Sequence, residues 1–102
     1  MNARRKRYTP FEKLKVIFRK EAGGAVVAFL PELPANRGNV VCYAHTGQHN
    51  EASMEYYHST TTALPSEYAA LKRELCGIYN DYQLSVKKRL YYSDLTEKAW
   101  RR

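Results

Sequence analysis

Residues Asn39–Asn50 read NVVCYAHTGQHN, and the chain changes character inside this stretch. Val40-Val41-Cys42-Tyr43-Ala44 is a short apolar run rich in β-branched and aromatic residues, which predicts a buried strand. It runs into His45-Thr46-Gly47-Gln48-His49-Asn50, a polar turn with one glycine and two imidazoles. A strand end of this kind is where a chemical site is to be sought first. His45, Gln48 and His49 are therefore the candidate polar site.

Toward the N-terminus, Ala25–Leu30 predicts a second strand. It is apolar at every position and so is expected to be covered on both faces. Pro31 lacks an N–H and ends its pairing. Pro31, Pro34 and Gly38 mark the loop that follows. Glu21-Ala22-Gly23-Gly24 predicts a hairpin turn, because glycine reaches positive φ without a Cβ clash. Before it, Leu14, Val16 and Phe18 alternate with Lys13, Lys15 and Arg19 at strand periodicity, and only Ile17 breaks the pattern. Thr9-Pro10-Phe11-Glu12 resembles a helix start, good for at most one turn.

Toward the C-terminus, residues 45–64 are expected to form a loop with an irregular extended part. A short helix capped by Asn50 and an edge strand over Met54–Thr62 are the alternatives. Pro65–Tyr79 predicts an amphipathic helix, with Pro65 at its first position and Tyr68, Leu71, Leu75 and Ile78 as one apolar stripe. Leu64 is a poor N-cap, so the helix start is expected to lean on Ser66 or on packing. Asn80 and Asp81 suit the exit. Tyr82, Leu84 and Val86 alternate with Gln83, Ser85 and Lys87, a fourth strand that ends at Lys88 and Arg89. Beyond it, Ser93 is placed to cap a short helix carrying Leu95, Ala99 and Trp100.

The expected order is β-β-β-α-β, an α+β fold with one amphipathic helix on a four-stranded, mainly antiparallel sheet whose other face is partly open. Residues 1–10 are expected to form a flexible basic arm, 11–90 a single domain, and 91–102 a tail or short helix. The full length of 102 residues is enough for one modest core without disulfides. Two cysteines, Cys42 and Cys76, fit a reducing compartment and read as small buried apolar residues. No apolar run is long enough to cross a bilayer, and no signal-peptide segment follows the basic N-terminus. The expectation is a soluble cytoplasmic protein with no membrane partner.

The net charge is +7, and its location matters more than its size. Residues 1–10 carry Arg4, Arg5, Lys6 and Arg7 and no acid, whereas residues 11–93 hold ten Lys or Arg against eight Asp or Glu. The candidate nucleic-acid-binding residues are thus Arg4, Arg5, Lys6 and Arg7, with Lys88 and Arg89 at the end of the last strand. Each cation that neutralises a phosphate releases a counterion, and tyrosines supply stacking surfaces. The sheet signature of RNA-recognition domains, zinc knuckles and helix-turn-helix patterns are missing from the sequence.

Cys42-x2-His45-x3-His49, with His58 beyond, is the nearest approach to a metal set. Its spacing matches no paired zinc pattern, and Cys42 and His45 fall on opposite faces of a continuous strand. No metal and no cofactor is expected. General acid–base work by His45 or His49 with Glu51 or Glu55 needs an orienting partner and a pocket, and the sequence shows neither. Tyr56, Tyr57, Tyr91, Tyr92 and Trp100 are more aromatic surface than so small a domain readily buries, which makes partner binding or self-association the rival to nucleic-acid binding. An enzyme ranks third.

Five segments also carry a resemblance: KVIFRK at Lys15–Lys20, AFLPELPA at Ala28–Ala35, HTGQH at His45–His49, EYAALKREL at Glu67–Leu75 and LSVKKR at Leu84–Arg89. Together they resemble a group of small proteins carried on bacterial phages and conjugative elements. The resemblance spans residues 15–89. It departs at Leu64, which stands where that group has a capping Thr, and at both tails. It implies a bacterial cytoplasmic accessory protein of a mobile element and supplies no activity, ligand or site residue. The sequence reading is therefore a small non-catalytic binding module.

Overall fold

The computed structural model describes residues 12–44 and 48–91. Their elements run β1 (Glu12–Lys20), β2 (Val26–Leu30), β3 (Asn39–Tyr43), β4 (His49–Ser53), α1 (Met54–His58), β5 (Thr61–Thr62), α2 (Pro65–Ile78) and β6 (Tyr82–Lys87). The fold is α+β. Its sheet is mainly antiparallel, but it has six strands rather than the expected four.

The sheet is built on β1. Strands β4, β3 and β2 follow one another antiparallel and reach one edge of β1. The other edge of β1 is shared. β6 pairs with it in parallel from Glu12 to Ile17, and β5 pairs antiparallel at Arg19 and Lys20. The β1–β2 turn is the glycine hairpin: Gly24 has φ +99°, its N–H donates to the Glu21 carbonyl, and the Glu21 N–H donates to Ala25.

Strand alternation divides the interior into two cores. Leu14, Val16, Phe18, Ala28, Leu30, Val41 and Tyr43 point to one face, where Leu71 and Leu75 of α2 close over them. Tyr68 stacks on Phe18 with ring centroids 4.2 Å apart. Ile17, Val27, Phe29, Val40 and Ala52 point to the other face, which Tyr57 and Leu90 cover. Ile17 therefore does not break the pattern. A strand buried on both faces needs an apolar residue at odd positions as well.

The segment expected to be a loop is instead β4, α1 and β5. The cap of α1 is Ser53 rather than Asn50: the Ser53 Oγ accepts from the Tyr56 N–H at 3.0 Å. Five residues cannot sustain a helix alone. Tertiary contacts hold this one, with Tyr57 edge-on against Phe29 at 5.2 Å and an Arg19 clamp beneath it. The Arg19 guanidinium lies 4.5 Å from the Tyr57 ring centre and donates to the Thr60 hydroxyl (2.9 Å) and carbonyl (2.6 Å).

α2 starts at Pro65 as predicted and ends at Ile78, one residue short of the expected Tyr79, which is its C-cap. Its start leans on Glu67 rather than on Ser66. The Glu67 carboxylate accepts from the Leu64 N–H at 2.8 Å and from Lys20 Nζ at 2.6 Å, which joins the helix to β1. The backbone N–H of Leu64 foremost, and Lys20 next, hold the Glu67 carboxyl below its usual value. Leu71 and Leu75 are buried as expected, but Ile78, the last residue of the helix, is 44% exposed. Cys76 is exposed on α2, against the expectation of burial, while Cys42 is half-buried. Tyr57 is buried and Tyr56 largely covered, so these two rings are core rather than interaction surface. The helical turn expected at Thr9–Glu12 lies outside the described residues except for Glu12, which belongs to β1.

Candidate anion-binding hollow

The parallel pairing of β1 with β6 sets Lys15 beside Ser85 and Ile17 beside Lys87. Paired residues share a face of the sheet. Lys15 and Lys87 thus lie on the same side of the sheet as Ile17. Lys13 beside Gln83 continues the row outward. After Lys87 the chain turns back over the sheet, and Leu90 is 4% exposed in the second core. Its N–H donates to the Tyr57 hydroxyl at 2.8 Å. Leu90 is a peg, and it leaves its neighbours Arg89 and Tyr91 exposed.

The result is a hollow of about 660 Å³ lined by Lys15, Lys87, Lys88, Arg89 and Tyr91. Four of the ten Lys and Arg residues between 11 and 93 meet in it. Among the described residues no carboxylate lines it. Glu32 comes near, but its Oε1 accepts from the Lys15 backbone N–H at 2.9 Å. Tyr91 is 58% exposed, more than Tyr82 at 40%. Such an arrangement can hold a phosphate by charge-assisted hydrogen bonds.

Of the predicted nucleic-acid-binding residues, Lys88 and Arg89 are placed in this hollow, and Arg4, Arg5, Lys6 and Arg7 lie outside the described residues. Sequence reasoning missed Lys15, Lys87 and Tyr91 as members of the group. Lys15 and Lys87 are far apart in sequence, and only the parallel register joins them.

The predicted polar site takes a different form. His45 lies outside the described residues, and Gln48 is exposed. His49 pairs with Tyr43 across β3 and β4, and its Nε2 is 2.7 Å from the Tyr79 hydroxyl. The Tyr43 hydroxyl donates to Glu74 at 2.6 Å. That hydrogen bond first, and burial second, hold the Tyr43 phenol above its usual value. These contacts latch the end of α2 to the sheet. Tyr43 and Tyr79 were not legible as partners of His49, since one lies on β3 and the other at the C-cap of α2. Cys42 pairs with Asn50 and packs toward the second core, on the opposite face from His49. Among the described residues, no three His, Cys, Asp or Glu side chains gather as a metal set.

A second hollow, of about 420 Å³, lies on the α1 side over Val27, Cys42, Ala44 and Ala52, with Glu21 and Tyr56 at its rim. The Tyr56 hydroxyl donates to the Glu21 carboxylate. Burial foremost, then that carboxylate, push the Tyr56 phenol well up; burial also raises the Cys42 thiol, against a backbone hydrogen bond with Asn50 that lowers it. A thiol held in that form is a poor nucleophile. Among the described residues, no helix is long and apolar enough to cross a membrane. Comparison with family models, with curated proteins and with solved structures gives no match.

Proposed function

We propose that this protein is a non-catalytic binding module for nucleic acid, and that the hollow at Lys15, Lys87, Lys88 and Arg89 is its phosphate contact. One observation carries the reading. A domain body whose charges nearly cancel gathers four cations around one concavity that no described carboxylate lines. Cations gathered around a concavity raise the local concentration of anions. The mobile-element resemblance is compatible with this reading and adds no chemistry to it.

The test is binding of a labelled oligonucleotide followed by anisotropy across a salt series. Neutralising Lys87, Lys88 and Arg89 together to glutamine is expected to weaken binding and to reduce the slope of log K against log salt by about 2 for a single strand. Removing residues 1–7 measures the arm separately. If the triple variant binds as the unaltered chain does, the hollow is not the contact.

Self-association is the second reading. Leu64 and Ile78 are large exposed apolar residues, but they sit at opposite ends of α2, about 20 Å apart at the rise of a helix, and so do not form one patch. Sedimentation at increasing concentration tests it, and a constant monomer mass excludes it.

A further inference from the structure

We infer that the hollow over Val27, Cys42 and Ala52 binds a small organic ammonium ion, with the nitrogen on the Glu21 carboxylate at the rim and an apolar body on the floor. Among the described residues it shares no lining residue with the cationic hollow, so the inference stands apart from the nucleic-acid reading. Three features support it.

The first is the floor. A concavity of about 420 Å³ is of small-molecule size. Val27, Ala44 and Ala52 line it with short apolar side chains, and an apolar body gains by leaving water for such a surface. The Cys42 thiol beside them is a poor nucleophile, so the ligand is held without a covalent bond.

The second is the sign of the charge. No described Lys or Arg lines the hollow. Lys20, next to Glu21 in sequence, is turned to Glu67 of α2 at 2.6 Å. Glu51 borders the hollow through its strand, but it pairs with Val41 of the first core, and its carboxylate accepts from Asn36 and Asn39 on that face. Glu21 is therefore the charge a ligand meets. The net charge of +7 opposes a cation at long range, yet salt screens that field beyond about 8 Å, and a contact carboxylate wins.

The third is the sense of the hydrogen bonds. The Tyr56 hydroxyl donates to Glu21, and its proton stays in place because burial foremost, then that carboxylate, hold the phenol well up. With this hydrogen spent, the pair offers only acceptors: carboxylate lone pairs and the phenol oxygen. An ammonium brings three donors to them, and its bond to the carboxylate is charge-assisted. Asn50, also in the lining, has an amide that serves either sense.

The experiment titrates the isotope-labelled full chain and Glu21→Gln by amide NMR. The probes are phenethylamine, 2-phenylethanol of the same shape without the charge, and methylammonium without the apolar body. Melting by circular dichroism checks that the variant is folded. Phenethylamine is expected to shift the amides of Val27, Cys42 and Ala52 and to bind about 10-fold more tightly than 2-phenylethanol. Glu21→Gln should remove that preference, leave 2-phenylethanol unaffected and leave oligonucleotide binding unchanged. Amine and alcohol binding alike to the unaltered chain would overturn the inference, as would a preference that survives Glu21→Gln. Methylammonium binding as well as phenethylamine, or no shifts at the three amides, would overturn it too. The alcohol comparison on the unaltered chain decides the matter if Glu21→Gln does not fold. None of these outcomes touches the nucleic-acid reading, which the salt series tests.

Discussion

Tyr57 does three things with one side chain. Its ring packs edge-on against Phe29, its face carries the Arg19 guanidinium, and its hydroxyl accepts the Leu90 N–H. The last contact is the one most easily isolated. Tyr57→Phe keeps the ring and leaves the buried Leu90 N–H without its acceptor, which is expected to cost about 1–3 kcal/mol in urea unfolding. The same change should loosen the peg beside Arg89, so oligonucleotide binding should weaken even though Tyr57 does not line the cationic hollow. None of this was legible from Tyr56-Tyr57 as a dipeptide. Two adjacent tyrosines announce aromatic surface, and which of them is buried depends on the phase of a helix too short to show a period.

α2 is the element the sequence described best, and it also shows where local rules stop. The step from Leu71 to Leu75 was readable because a long helix repeats its burial pattern. Ile78 lies in phase with that stripe yet is exposed, and at that end of the helix it is Tyr79 that packs on the core and meets His49 of β4. Gly77 lies inside the last turn with no atom within 4 Å of a Cβ built on it, and its φ is not positive. Gly77→Ala should therefore stabilise the protein, by about 0.5–1 kcal/mol, measurable as a raised thermal midpoint. At the other end, Glu67 replaces the missing cap. Its folded carboxyl titrates below the ordinary value, so its stabilisation is fully present above the unfolded carboxylate pKa. That stabilisation is lost as pH falls through the lowered folded value. Glu67→Gln should reduce stability near neutral pH and flatten the acid side of the stability profile between those two values. A profile parallel to that of the unaltered chain would show that Glu67 contributes nothing.

Across the whole molecule, β1 joins everything: the β2–β3–β4 meander on one edge, β5 and β6 on the other, and a core on each face. Ile17 tests that arrangement directly. A one-core sheet would leave an odd-numbered position on β1 near solvent and tolerant, but Ile17 is fully buried. Ile17→Ala is expected to cost about 2–5 kcal/mol in denaturant unfolding, as a core truncation does. The sequence by itself determined the pieces governed by local periodicity and turn chemistry. These were the α+β class, β1 to β3 with the Gly24 hairpin, the α2 stripe and the strand after it. The same residues carried a candidate role for Lys88 and Arg89. Only the tertiary structure decided that β6 runs parallel to β1, that Ser53 starts a helix pinned by Arg19, and that Leu90 returns to the second core. Those three decisions create the hollow by setting Lys15, Lys87 and Tyr91 around one space. The reason is range: hydrophobic alternation and glycine turns act over a few residues, whereas strand register and the burial of an isolated Leu or Tyr are settled by partners many tens of residues away.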